Sequence, residues 1–162
     1  MTIDETLNEL LVRLFKDLME IEEKALITEE FKDITNNDMH IIEAVGMERP
    51  KKMSEIAKLM SVTTGTLTKA MDGLTRKGYV ERRRDTEDKR VVKVSLTDRG
   101  RRAYYHHENF HRQMIEHIKD GLDENEMKTV VCSLTKLVDY FQTIYCQDGE
   151  EAEFVSWSKV AE

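Results

Sequence analysis

Two long stripes of apolar residues at helical spacing, one near each end of the chain, constrain this sequence more than anything else in it. Ile3, Leu7, Leu10, Leu11, Leu14, Phe15 and Leu18 recur at three- and four-residue steps, the period of one helix face. Asp123-x-x-Glu126 reads as a capping box. After it, Met127, Val130, Val131, Leu134, Leu137, Val138, Phe141 and Ile144 form the second stripe. A small middle domain has too little apolar surface to cover both, so the stripes predict a helical dimer interface to which each subunit supplies both ends. An intramolecular helix pair is the plainer alternative. One Pro and seven Gly in 162 residues leave little turn chemistry for a sandwich or barrel, and the expected class is mostly α.

Between the stripes the elements are short. Thr35-Asn36-Asn37-Asp38 is a dense N-cap signal before Met39, Ile42 and Val45, and Gly46 suits a C-cap. Lys52 to Met60 reads as a short helix, Ser61-Val62 as a tight connection, and Thr63 as the cap of a helix that Gly78 stops near Lys77. Two β-prone runs follow, Tyr79–Arg82 and Val91–Leu96, joined by a polar turn over Asp85–Lys89. Thr97 opens another helix, with Ala103, Phe110, Met114 and Ile118 on one face. The expected organisation is a dimerisation helix and connector over 1–34, a middle domain over 35–100, dimerisation helices over 101–146 and an acidic tail over 147–162.

Charge is distributed unevenly. The window Arg76–Arg102 holds eleven Lys and Arg against five Asp and Glu, a local +6 in a chain of −7, which leaves −13 on the remainder. A basic island on an acidic body is the footprint of a duplex-binding surface. The element order is that of a winged helix-turn-helix with a small two-stranded β-wing. Its second helix enters a major groove, where Thr63, Thr64, Thr66 and Thr68 allow close approach and Lys69 adds charge. The wing tip, Lys89 and Arg90, reaches the neighbouring minor groove. Arg82 and Arg84 are expected on phosphates, and Ser54 is a further candidate contact. Palindromic double-stranded DNA bound by a homodimer is the partner this order predicts. A protein-interaction module without DNA binding would leave the basic ribbon unexplained.

The stretch Leu74-Thr-Arg-Lys-Gly-Tyr-Val-Glu-Arg-Arg-Arg-Asp-Thr-Glu-Asp-Lys-Arg-Val-Val-Lys-Val-Ser-Leu-Thr-Asp-Arg-Gly100 resembles the wing signature of the MarR family of dimeric bacterial regulators. The resemblance extends from the first helix to about Tyr145. The family's D-x-R motif falls on Asp88-Lys89-Arg90, which implies that Arg90 enters the minor groove and Asp88 braces the loop. Lys52 departs from the pattern, since relatives often place a capping Thr there, and a looser helix start is expected.

A narrower resemblance is to the FabT group, repressors of fatty-acid synthesis genes in Gram-positive bacteria. It is carried by Phe31–His40, Val62–Thr68 and the run from His106 to Gly121. It implies a long-chain acyl corepressor on acyl carrier protein, its chain in an apolar pocket. Leu18, Ile21, Phe31, Met39, Ile42, Phe110 and Met114 lie in the right segments, with His107 and His111 beside them. Nine Met would suit an adaptable lining, although plain core is the simpler reading of each position.

His107 and His111 also stand one helical turn apart, as metal-binding pairs do. With Glu22 and His40 they would make a tetrahedral zinc site, and the MarR family contains zinc-responsive repressors. Hydrogen-bonded, partly buried imidazoles are the plainer alternative, and His106 and His117 are expected to face solvent. DNA binding itself requires no cofactor. No phosphate-binding Gly loop, H-E-x-x-H or G-x-S-x-G is present, so the chain is not expected to be an enzyme. No apolar run approaches the roughly 18 residues of a membrane span, and the polar start is no signal peptide. Cys132 and Cys146 are too few for a disulfide framework, which suits the cytoplasm.

Overall fold

The computed structural model describes residues 2–147. The acidic tail expected from 147 lies beyond them from residue 148 on, and the side chains of Ile144 and Cys146 lie outside the described ones. Among the described residues, six helices and three short strands follow in the order α1 (Ile3–Leu26), α2 (Asn36–Val45), β1 (Lys51–Lys52), α3 (Met53–Leu59), α4 (Thr64–Arg76), β2 (Val80–Arg84), β3 (Val92–Leu96), α5 (Asp98–Gly121) and α6 (Glu124–Gln147). Two compact units divide at Met114 and Ile115, inside α5.

The local signals explain the helix starts. Thr2 and Thr35 each close a capping box, with Glu5 and Asp38. Asp123 and Glu126 bond each other's backbone N–H groups at the start of α6, at 2.9 and 2.8 Å. Gly46 and Gly78 sit at φ +69° and +78°, the left-handed region that an L side chain enters at a cost, and they terminate α2 and α4. Lys52 supplies no side-chain cap to α3. Glu55 compensates by accepting the Lys52 N–H at 2.7 Å while Arg49 holds its other oxygen at 2.8 Å. These hydrogen bonds, Arg49 first, hold the Glu55 carboxyl down to about 2.

The sheet has the order β1-β3-β2, all antiparallel. The wing hairpin pairs Val80 with Leu96 through to Arg84 with Val92. The sequence reading found these two strands and missed β1, which consists of two residues and exists only by pairing Lys51 with Val94 and Lys52 with Lys93. Beneath the sheet, one core gathers Leu26 from α1, Met39, Ile42 and Val45 from α2, Ile56 from α3, Leu67, Met71 and Leu74 from α4, and Ala103 from α5. Gly100 is required there: a Cβ would stand 2.0 Å from the Tyr79 carbonyl oxygen.

The terminal stripes stay outside this core. Leu7, Leu10 and Leu14 on α1, and Val131, Leu134 and Val138 on α6, are each half exposed or more. Among the described residues, no helix is long and apolar enough to cross a membrane.

Candidate nucleic-acid interface

The first turns of α4 present hydroxyls with different duties. Thr63 is the N-cap: its Oγ1 accepts the Thr66 N–H at 3.1 Å and lies 3.0 Å from the Thr66 hydroxyl. Thr68 donates back to the Thr64 carbonyl at 2.7 Å. Thr64 alone of the four has a hydroxyl with no partner among the described residues. Lys69 is exposed, and so is Ser54 in the first turn of α3. Leu67, Met71 and Leu74 face the core, so the helix is held by one side and open on the other.

The wing tip is ordered by carboxylates. Asp85 accepts the N–H groups of Glu87 and Asp88 at 2.9 and 3.3 Å and pairs with Lys93. The Lys93 contact and then these N–H groups hold the Asp85 carboxyl down to about 2. Asp88 Oδ1 in turn accepts the Arg90 N–H at 3.0 Å and its Nε at 3.2 Å. These bonds tie Asp88 to Arg90 within the turn, and the Arg90 side chain is 92% exposed. Lys89 and Arg84 are exposed without a partner among the described residues. Arg82 differs. It folds back onto α4, reaching Asp72 Oδ1 at 2.7 Å and the Thr68 carbonyl at 3.4 Å. Asp72, missed in the sequence reading, occupies the third place in the i, i+4, i+8 line of Thr64 and Thr68.

A second cluster sits around α5. Glu22 Oε1 lies 3.0, 3.7 and 3.8 Å from the Nε2 atoms of His107, His111 and His40, and the Nε2 atoms of His107 and His111 are 2.9 Å apart. Glu22, His107 and His111 thus form one compact group, and His40 forms a second with Glu43 and His107. Glu43 joins them unforeseen, 3.7 Å from Nδ1 of His107 and 3.8 Å from that of His40. Its spacing from His40, one turn along α2, is the signal that could have found it. Burial first, then His107, pushes the His111 imidazole below its ordinary value. A cleft of about 400 Å³ opens here, lined by His40, Glu43, Tyr104, His107, Glu108 and His111.

The apolar candidates are dispersed by comparison. Phe31, Met39 and Ile42 are core, Leu18, Phe110 and Met114 are half-buried, and Ile21 is exposed. His106, expected in solvent, packs 5.2 Å from the Phe31 ring and lies 3.1 Å from the Ala25 carbonyl oxygen. His117 is exposed.

Comparison with known proteins gives a consistent set. Residues 34–92 match the model of the MarR family. The transcriptional regulator AdcR of Streptococcus pneumoniae is 31% identical over 108 residues, 65% of this chain and 73% of its own. The transcriptional repressor YetL of Bacillus subtilis is 34% identical over 86 residues, 53% of this chain and 52% of its own. Among solved structures, FabT of Streptococcus pneumoniae, crystallised in complex with DNA, is 37% identical at a TM-score of 0.82, covering 86% of this chain and 98% of that one.

Proposed function

The chain belongs to the MarR family, and from that premise we propose that it is a homodimeric transcriptional repressor of the cytoplasm that reads a palindromic duplex. Each α4 enters a major-groove half-site with Thr64, Thr66 and Lys69 toward base edges, and each Arg90 enters the adjacent minor groove. The observation that carries this reading is the open face of α4 beside a carboxylate-ordered hairpin with an exposed arginine at its tip. The half-exposed stripes of α1 and α6 favour a second copy as the cover, since contiguous apolar faces rarely stay in water. Titration of labelled duplexes at two salt concentrations, with sedimentation for mass, tests it. A monomer, or one affinity for every sequence, would refute it.

The finer reading extends the likeness to FabT: control of fatty-acid synthesis genes, with an acyl chain on acyl carrier protein as corepressor. Leu18, Phe110 and Met114 are half-buried and accessible to such a chain, whereas Phe31, Met39 and Ile42 would have to open from the core. A second reading has its own observation. One carboxylate and two imidazoles, Glu22, His107 and His111, hold donor atoms 2.9 to 3.7 Å apart, a set of the donor types that zinc takes, and His40, 3.8 Å from Glu22 Oε1, is the candidate fourth ligand. Glu43 would fix the His107 ring through its other nitrogen. When bound, the ion would supply a charge-neutralising link between α1, α2 and α5. Native mass spectrometry with metal analysis separates the two: a retained acyl species supports the first, and one zinc per chain the second.

A further inference from the structure

The reading helix ends on a side chain from another element. Arg99, in the first turn of α5, donates from Nη1 to the Lys77 carbonyl that closes α4, at 2.6 Å. From Nη2 it donates to Asp33 Oδ1 at 2.9 Å and to the Glu30 carbonyl at 3.2 Å, both in the connection between α1 and α2. Its guanidinium lies 4.3 Å over the ring of Tyr79, and the buried Tyr79 hydroxyl donates to the same Asp33 oxygen at 2.7 Å. A second tie runs alongside, from the Lys77 ammonium to Asp38 of α2 at 2.9 Å. A cation suits the carbonyl end of a helix. Only a planar guanidinium can hold three acceptors at fixed angles while stacking on a ring, because an ammonium is a point charge on a flexible stem.

We infer that Arg99 is a positioning residue for sequence reading: it locks the end of α4 to Asp33 and Glu30, and so sets the angle at which Thr64 and Lys69 meet base edges. The inference rests on the DNA-reading function proposed above. The lever is short and sensitive. A helix of 13 residues is about 20 Å long, so a tilt of about 5° around its buried middle moves the first turn by roughly 1 Å. Base-edge bonds do not survive that, since their N···O range is only about 2.7–3.2 Å. Phosphate contacts do survive it, because they depend on charge near the backbone more than on alignment. The signature of a lost lock is therefore a fall in discrimination at constant general binding.

The test uses the full chain. A duplex that the wild-type protein selects from a random-sequence pool is compared with a mixed-sequence duplex at one salt concentration, alongside thermal melts. Arg99→Lys should lower the affinity ratio about tenfold, the scale of one lost base contact. Binding to mixed sequence should stay within about twofold, because the charge is kept. Asp33→Asn should lower the ratio less, and the double variant should fall no further than Arg99→Lys alone. An unchanged ratio, or both affinities falling together, would overturn the inference and leave Arg99 as scaffold. Should Arg99→Lys fail to fold, Asp33→Asn decides by the same ratio. A wild-type protein that selects no sequence would fail before any variant is made, and would remove the DNA reading and this inference together.

Discussion

Arg82 and Arg84 stand two residues apart on one strand and read alike in the sequence, but the structure gives them different work. Arg82 is held by Asp72 at 2.7 Å and its side chain is 26% exposed, against 60% for its partner, whereas Arg84 is exposed and unpaired among the described residues. A half-exposed ion pair is itself worth no more than about 1 kcal/mol. The decisive term is what opening would leave behind: Asp72 lies on the outward line of α4, where a bare carboxylate would face phosphates. The pair should stay closed on DNA. Counterion release then gives a number, since each phosphate contact contributes about 0.9 to the slope of log K against log salt. Arg84→Gln removes one contact from each subunit and should reduce that slope by about 1.8 per dimer, which between roughly 50 and 200 mM salt is about a 12-fold change in relative affinity. The charge-balanced double variant Arg82→Gln with Asp72→Asn should leave the slope unchanged. Asp72→Asn alone, which releases Arg82 in each subunit, should steepen it by about 1.8 per dimer. Fluorescence anisotropy over a salt series measures all three. If the double variant loses as much slope as Arg84→Gln, Arg82 leaves its partner to hold a phosphate and the reasoning fails.

Three further outcomes are expected. Arg90→Ala should weaken duplex binding by on the order of 1–3 kcal/mol with the melting temperature unchanged, because among the described residues its side chain bonds only to Asp88; undiminished affinity in the same titration would take the wing out of the mechanism. Thr63→Ala should cost about 1 kcal/mol of stability through the lost cap, seen in denaturant unfolding, while Thr64→Ala should keep stability and change preference across a mutated operator series. The Asp85 carboxyl is depressed to about 2 from an ordinary 3.8. Its contribution is complete above pH 4 and disappears as pH falls through 2, so the Glu87 and Asp88 amides should lose exchange protection over that interval and in Asp85→Asn.

Much of this architecture was legible because its signals are local. The capping boxes at Thr35 and Asp123, the stop at Gly78 and the polar turn from Asp85 need only neighbours within a few residues, and each falls where the pattern puts it. What was missed depends on distant partners. Strand β1 has no propensity of its own and is made by β3. His106 looked like one more polar residue on α5, and only the fold brings Phe31 and Ala25 to it. The spacing of His107 and His111 announced a pair, yet their convergence with Glu22 and His40 needed three helices in register. The Asp72 partner of Arg82 was hidden for the same reason, since it lies ten positions earlier on another element.

Pairing of this kind also changes what the basic island can do. Counted along the sequence, Arg76–Arg102 carries eleven cations. In the folded chain Lys77, Arg82, Arg83, Lys93, Arg99 and Arg102 are each within ion-pair distance of Asp38, Asp72, Glu81, Asp85, Asp33 and Glu30. These pairs align helix and strand ends and have little charge left for phosphates. The island's remaining cations are Arg84, Lys89, Arg101 and Arg76, the last at the end of the same outward line of α4 as Asp72, together with Arg90, which stays 92% exposed although Asp88 holds its Nε; the exposed Lys69 of α4 adds a sixth. Five or six per subunit, doubled by a dimer, give a salt slope of roughly −9 to −11, whereas the whole island acting on phosphates would give roughly −20. One salt series on a single operator separates these values by far more than the error of a titration. A slope near the larger magnitude would mean that the internal pairs open on DNA, and that the island is a single electrostatic surface after all.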